Sequence, residues 1–365
     1  MKHNKINNIQ NLGQSIWLDF LDRKIMTSGE LEKLINEDGV RGMTSNPSIF
    51  ERAITNSSDY DEDIAVLFKQ KNRNDDIFLE LAVSDIKRAA DSFKSVFMKT
   101  NGNDGYVSIE VSPRLAHDTE GTINQARRLW KAINRKNVMI KIPSTLEGLP
   151  AIRRCISEGI NINVTLLFDL QRYKEVINAY VLGLKDRVSN NQPINDIASV
   201  ASFFLSRIDV MIDPLLEKKG LNELKGQVAI ACAKKAYDIY KNAFVSDAFK
   251  KLSARGARPQ RLLWASTSSK DPSFSDVKYV EALIGPETIN TLSMETLQAF
   301  NDHGHSENRL GENLTKATLL LSSLKENGID INNITQQLED DGLRKFNKAY
   351  DSLEDAIEKR GTVLS

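Results

Sequence analysis

Cysteine is scarce: only Cys155 and Cys232 occur in 365 residues, far apart and outside any Cys-x-x-Cys spacing. That excludes a disulfide framework and a thiolate metal site, and it fits a reducing compartment, the cytoplasm. Net charge is absent as well, because 49 Lys and Arg balance 49 Asp and Glu, and no basic tract is interleaved with aromatics. Nothing draws a polyanion over distance, so nucleic acid is not an expected partner. No segment approaches the roughly 20 apolar residues that span a bilayer, so no membrane partner is expected either. The opening Met-Lys-His-Asn-Lys-Ile-Asn-Asn lacks the apolar stretch of a signal peptide and the arginine and serine of a transit peptide. Gly-x-Gly-x-x-Gly, the Walker sequence and the Gly-x-Ser-x-Gly elbow are missing, which leaves nucleotide and serine-hydrolase readings without an anchor. Of the four histidines, His3, His117, His303 and His305, the last two form a close pair. No carboxylate or cysteine stands at ligand spacing, and the pair reads as a solvated loop rather than a metal site.

What is present is a repeating order. Short apolar, β-branched runs alternate with longer stretches of helical periodicity, the pattern of βα units and a parallel sheet. Eight runs read as strands: 15–19, 39–45, 106–111, 137–143, 161–167, 199–206, 261–267 and 288–294. Between them, Ile123, Ala126, Trp130 and Ile133 repeat at helical spacing, and Leu81, Ile86, Phe93 and Phe97 share one broad face of 77–97. Thr27 and Glu30 have capping-box spacing before Leu31, Leu34 and Ile35, which predicts a helix behind the first strand. Eight such units in about 300 residues predict an α/β fold, a (β/α)8 barrel with additional helices; an open doubly wound sheet is the alternative. The stretches 50–105 and 208–260 are too long for one helix each and predict the extra ones. Residues 310–365 predict a helical C-terminal extension, through 313–324 and 343–356, that packs on the barrel or a neighbouring subunit, with 1–365 forming a single domain.

Side chains alternate along a strand, so the parity of polar residues shows which of them look into a barrel. Val107, Ile109 and Val111 are apolar while Ser108 and Glu110 share the other face; Ile162, Val164 and Leu166 are apolar while Asn161, Asn163 and Thr165 share the other. Asp19 closes the first strand and Lys141 lies near the end of the fourth. In a barrel, Lys141, Glu110, Asp19, Asn163 and Thr165 converge at the C-terminal mouth, where barrel active sites are built. A lysine between Ile140 and Ile142 is costly to bury as ammonium unless paired, and burial of a lysine favours the neutral amine that attacks a ketone. A structural ion pair between Lys141 and Glu110 is the competing reading. Asp19 alone reads more often as a helix cap or a structural hydrogen-bond partner than as a base, and its cluster with the other polar strand ends shifts that balance.

Five segments together resemble the transaldolase family in its longer bacterial form: Gly-Met-Thr-Ser-Asn-Pro-Ser-Ile-Phe at 42–50, Val-Ser-Ile-Glu-Val-Ser-Pro at 107–113, Ile-Lys-Ile-Pro-Ser-Thr at 140–145, Asn-Val-Thr-Leu-Leu-Phe at 163–168 and Trp-Ala-Ser-Thr at 264–267. The resemblance runs from about residue 12 to 304 in family order. It implies a class I aldolase-type barrel and a cofactor-free, metal-free transferase of the pentose phosphate pathway. Such an enzyme moves a dihydroxyacetone unit from fructose 6-phosphate or sedoheptulose 7-phosphate to an aldose phosphate. It further implies that Lys141 forms the Schiff base, Asp19 is the general base on the carbon-4 hydroxyl, and Glu110 with Thr165 positions a catalytic water. By the same resemblance Asn46 and Asn163 hold substrate hydroxyls, while Ser202 and Arg207 grip phosphate. Without the resemblance, Arg207 reads as a surface ion-pair partner of Asp209. Ser266 and Lys270 join the substrate-binding set, with a departure: many members place an arginine within Ser-Phe-Arg where this chain reads Ser266-Thr267-Ser268-Ser269-Lys270. Lysine supplies a point charge but not the planar fork of arginine. The longer form commonly has a lysine here too.

Sugar phosphates are thus the expected partners, of a monomer or a homodimer. Three rival readings stand beside this one: a fructose 6-phosphate aldolase-like lyase that releases dihydroxyacetone, a non-catalytic sugar-phosphate-binding barrel, and a fused transaldolase–isomerase. The last is disfavoured because the chain after residue 310 is too short for a second isomerase domain.

Overall fold

Eight strands pair in parallel, each with the next in the chain and the last with the first, so the sheet closes into a barrel. The structure is a computed structural model describing residues 4–70 and 73–364; His3 lies outside them. The strands are β1 (Gln14–Asp19), β2 (Met43–Thr44), β3 (Val107–Glu110), β4 (Val138–Pro143), β5 (Ile162–Leu167), β6 (Ser199–Phe204), β7 (Arg261–Ala265) and β8 (Thr288–Leu292). The closed barrel rules out the open doubly wound sheet. The run 39–45 is the one strand much shorter than its sequence pattern. Gly39 turns the chain at φ 74°, and regular pairing begins only at Met43. Gly42, just before it, admits no side chain, because a Cβ there would stand 2.6 Å from the Trp17 ring.

From β2 to β8 every strand residue is buried. One face meets the lumen and the other the surrounding helices, so hydrophobicity alone does not alternate and the polar residues reveal the orientation. At the amino end the lumen is closed by a buried ion pair, Arg261 Nη2 to Asp104 Oδ1 at 2.9 Å. Ser15 Oγ and Trp17 Nε1 donate to the same carboxylate at 2.7 and 3.1 Å. The carboxyl end is left as the open mouth.

Both long gaps hold extra helices: Pro47–Thr55, Asp61–Lys69, Asn74–Ser92 and Lys94–Lys99 before β3, and Ser206–Lys218, Val228–Phe244 and Asp247–Ser253 before β7. The periodic face from Leu81 to Phe97 is divided between two helices at Phe93. Thr27 does not cap the helix that follows it. It ends a short helix, Arg23–Thr27, and its hydroxyl donates back to the Arg23 carbonyl at 3.0 Å. The corner before Glu30–Asn36 is made by Gly29 at φ 81°, a left-handed conformation that suits glycine and leaves no side chain to cap. An N-terminal helix, Lys5–Asn11, has no counterpart in the sequence pattern, since it buries only Ile6 and Ile9.

The C-terminal segment forms two helices, Leu314–Glu326 and Ile331–Leu364. The second has 34 residues, which at 1.5 Å per residue makes it about 50 Å long. It continues well beyond the expected 343–356 and crosses its own barrel, touching helices Pro47–Thr55, Asp61–Lys69, Asn74–Ser92 and Ser206–Lys218 and strand β5. Leu338, Leu343, Phe346, Leu353 and Ile357 are buried along it. At about 1.5–3 kcal/mol for each such side chain, that apolar stripe outweighs the half-exposed ion pairs of Arg114 with Asp351 and Glu354 in holding the helix down.

Candidate active site

Lys141 Nζ lies 3.2 Å from Glu110 Oε2, with both side chains almost wholly buried, and donates to the Ser45 carbonyl at 3.0 Å. The contact follows from register: Glu110 of β3 is the Cα partner of Lys141 of β4, and both point into the lumen. The ion-pair reading of these two residues and the nucleophile reading therefore meet in one geometry. Burial pushes the Glu110 carboxyl above the ordinary carboxylate range, against the pull of Lys141. Neither Glu110 oxygen takes part in a well-aligned hydrogen bond; the contact with Lys141 is one of charge. A carboxyl so placed can accept the lysine's proton and leave a neutral amine.

Asp19, at the end of β1, stands over the same cavity, and its Oδ1 accepts from Thr44 Oγ1 at 2.7 Å. Thr44 is linked to Thr291 of β8 at 2.8 Å. Burial raises the Asp19 carboxyl too, opposed by the charge of Lys141 and the hydrogen bond from Thr44. Thr165 of β5 lines the cavity, and its buried Oγ1 has no hydrogen-bond partner. The chain leaves regular strand geometry directly after it. Leu166 adopts φ 53° and the register with β6 shifts between Val164 and Leu167. Ser266, after β7, is likewise left-handed at φ 57°. Such conformations cost about 1–3 kcal/mol in residues other than glycine, and they concentrate where side chains must be aimed.

The remaining candidates fall into two tiers. Asn46, Ser202, Arg207, Ser266 and Lys270 line the cavity together with Asp19, Lys141 and Thr165; its volume is about 320 Å³, at the small end of ligand sites. Asn163 and Glu110 do not line it. Asn163 sits beside Lys141 in register and is occupied in a buried chain, accepting from Ser202 Oγ at 2.7 Å and donating to Ser108 Oγ at 3.0 Å. The Asn46 side chain caps helix Pro47–Thr55, accepting from the Ile49 amide at 3.1 Å. Ser266 Oγ pairs with Ser206 Oγ at 2.9 Å. Lys270 is exposed at the rim.

Arg207 is not a surface partner of Asp209. Asp209 is buried, accepting from the Ala229 amide and the Tyr279 hydroxyl, both at 2.8 Å. Two residues apart on helix Ser206–Lys218, the two side chains leave on different faces. Arg207 instead turns to the cavity, its guanidinium 5.3 Å from the Phe204 ring centre and its buried Nη1 without a partner. Burial lowers its pKa against the charges of Asp19 and Glu110.

The cavity also recruits Thr44, Arg52, Phe204, Thr291 and Phe346, none of which the sequence singled out as site residues. Thr44 lies inside the 42–50 motif and Phe204 in the strand run 199–206 between Ser202 and Arg207; Phe346 lies in the C-terminal helix and reads from sequence as one more core position. A wider depression of about 840 Å³ lies at the amino end of the barrel, but its Arg258 and Arg261 are committed to backbone carbonyls there. His303 and His305 are exposed, and His303 Nε2 meets Asp276, distant in sequence, at 2.8 Å. Among the described residues no three His, Cys, Asp or Glu side chains gather as a metal-holding group, and no helix is long and apolar enough to cross a membrane.

Fold and site define a class: a parallel eight-stranded barrel with an amine and two raised carboxyl groups at the carboxyl ends of its strands. The comparison with known families is specific. Residues 16–357 match the family described as Transaldolase/Fructose-6-phosphate aldolase. The chain is 48% identical to a transaldolase of Trichodesmium erythraeum over the full length of both proteins. It is 47% identical to a protein of Nostoc sp. named transaldolase 2, again over both full lengths. To a transaldolase of Saccharopolyspora erythraea it is 46% identical over 94% of each chain. The chain belongs to the transaldolase/fructose-6-phosphate aldolase family.

Proposed function

We propose that this chain is a transaldolase that carries a dihydroxyacetone unit from a ketose phosphate to an aldose phosphate on Lys141. The observation that carries the reading is the Lys141 amine beside the buried Glu110 carboxyl, with Asp19 across the same cavity. Lys141 gives a proton to Glu110 and its lone pair attacks carbon 2 of the ketose, forming the carbinolamine. Glu110, with Thr165 at the cavity wall, returns the proton to the departing oxygen as water and leaves the iminium. Asp19 then takes the proton of the carbon-4 hydroxyl. The bond between carbons 3 and 4 breaks, its electron pair fills the iminium to give an enamine, and the aldose phosphate leaves. The acceptor aldehyde enters and the steps run backwards. Asn46 is a hydroxyl contact, and Ser202 and Arg207 grip the phosphate, Arg207 as the fork, with Lys270 adding charge at the rim. Asn163 acts through Ser202, which donates to it.

The buried free thiols of Cys155 and Cys232 accord with a reducing compartment, and we place the enzyme in the cytoplasm. Release of dihydroxyacetone is the second activity named in the family description, while the relatives cited are named for transfer. The distinguishing experiment supplies fructose 6-phosphate with and without erythrose 4-phosphate. Transfer predicts sedoheptulose 7-phosphate and glyceraldehyde 3-phosphate in equal amounts, with negligible free dihydroxyacetone. Free dihydroxyacetone accumulating at the same rate with or without the acceptor contradicts it.

A further inference from the structure

The phosphate fork is held from an unexpected side. Arg207 has no ion-pair partner among the described residues, and its Nη1 is buried with its hydrogen-bonding capacity unused. The Phe204 ring lies 5.3 Å from the guanidinium carbon. Helix Ile331–Leu364 also comes close to it, at Gly342. A Cβ built on Gly342 would stand 2.8 Å from Leu166 Cδ2, close enough to displace it, and 3.6 Å from Arg207 Nη1, in ordinary contact, so a side chain larger than alanine there would crowd the guanidinium. Leu166 is the left-handed residue directly after Thr165. One helical turn further on, Phe346 is buried and lines the active-site cavity. Gly342 and Phe346 share a face of the helix, and the helix is tied nearby through Glu339 to Arg172, at 3.3 Å.

We propose that the Gly342–Phe346 turn of the C-terminal helix is a specificity-determining wall of the active site: it clamps the Arg207 guanidinium against Phe204 and so sets the preference for phosphorylated over unphosphorylated sugars. The proposal rests on Arg207 being the phosphate contact. A guanidinium with free donors and one allowed position loses little freedom when a phosphate ester arrives. Gly342 lets the helix come close enough to impose that position, and Phe346 closes the gap beside it. Neither residue touches the reacting carbons; both act on phosphate recognition through Arg207 and the shape of the pocket.

The test is the ratio of kcat/KM for fructose 6-phosphate to that for fructose, each with erythrose 4-phosphate as acceptor. It is measured for the wild type, Arg207→Ala, Gly342→Val and Phe346→Ala, with the inhibition constant of inorganic phosphate as a second readout. Borohydride trapping with dihydroxyacetone serves as the check that each variant is folded and chemically competent. Gly342→Ala and Phe346→Leu replace any variant that fails the check. The proposal predicts that the ratio falls at least fivefold in the Gly342 and Phe346 variants, mainly through KM of the phosphorylated sugar, and that the phosphate inhibition constant rises by a similar factor. If the ratio falls in Arg207→Ala but stays within twofold of wild type in the helix variants, the wall is overturned and the Arg207 assignment stands. If Arg207→Ala itself leaves the ratio unchanged, the Arg207 assignment fails and the wall falls with it.

Discussion

Lys141 and Glu110 face each other across adjacent strands, 3.2 Å apart, in a lumen that hides both from solvent. The pair is costly to keep charged, and a reaction that consumes a neutral amine uses that cost. Breaking such a pair by removing one partner typically destabilises a protein by about 3–5 kcal/mol. Glu110→Gln is expected to lower stability by an amount of this order and to slow Schiff-base formation by about 100-fold or more. The nucleophile is retained, so adduct still forms on long incubation. Rapid-quench borohydride trapping measures the rate, and a Glu110→Gln rate equal to wild type would remove Glu110 from the proton path.

In the proposed mechanism Asp19 acts after Lys141. Asp19→Asn is expected to allow the Schiff base but block cleavage between carbons 3 and 4. Reduction after incubation with fructose 6-phosphate then yields an adduct of the whole six-carbon sugar phosphate, where the wild type yields the three-carbon unit. Peptide mass spectrometry distinguishes the two. A three-carbon adduct at the wild-type rate would assign the base elsewhere.

The pH profile follows from burial. Asp19 and Glu110 are both pushed upward by desolvation, with Lys141 pulling the other way. Asp19 must be ionised to act as base, so activity is lost as pH falls through the raised value. The acid limb of kcat/KM is expected above about 4, the ordinary carboxylate value. A limb at or below it in a pH titration would contradict the assigned environment.

Burial separates Arg207 from Lys270, the two cations proposed for the phosphate. Lys270 is exposed at the rim and Arg207 is largely enclosed. Lys270→Ala is expected to raise KM for phosphorylated sugars only severalfold, and Arg207→Ala by about 10-fold or more, since an enclosed charge-assisted fork is worth roughly 1.5–3 kcal/mol. Steady-state kinetics decides, and the reverse order would shift the fork to Lys270.

Asp209 supplies a stability test away from the chemistry. Its carboxyl is pushed up to about 6 by burial, from an ordinary value of 3.8. A raised acid contributes stability that is present below the unfolded value and lost as pH rises through 6, here about 3 kcal/mol in order of magnitude. Asp209→Asn, which cannot ionise, is expected to gain stability relative to wild type between pH 4 and pH 7.5. Denaturant titrations at the two pH values check it, and a difference that does not change with pH contradicts it.

Much of the architecture was legible because a parallel barrel buries both faces of every strand and leaves polar residues as the only parity signal. Ser108 and Glu110, Lys141, and Asn163 and Thr165 all read correctly as lumen residues for that reason. Local turns were less legible. Thr27 has capping-box spacing, yet Gly29 makes the corner, because backbone conformation there outweighs the motif. Arg207 beside Asp209 looked like an ion pair in one dimension and is none in three. Phe346 was invisible as a cavity residue: it lies 180 residues beyond Leu166 in sequence, and only the length and path of the final helix bring it to the mouth.

The central claim is that Lys141 is the nucleophile. Incubation with fructose 6-phosphate, borohydride reduction, digestion and peptide mass spectrometry test it directly. The account predicts one dihydroxyacetone-sized adduct, on the peptide containing Lys141, and none in Lys141→Ala. An adduct on another lysine, or none with any ketose phosphate, would contradict it.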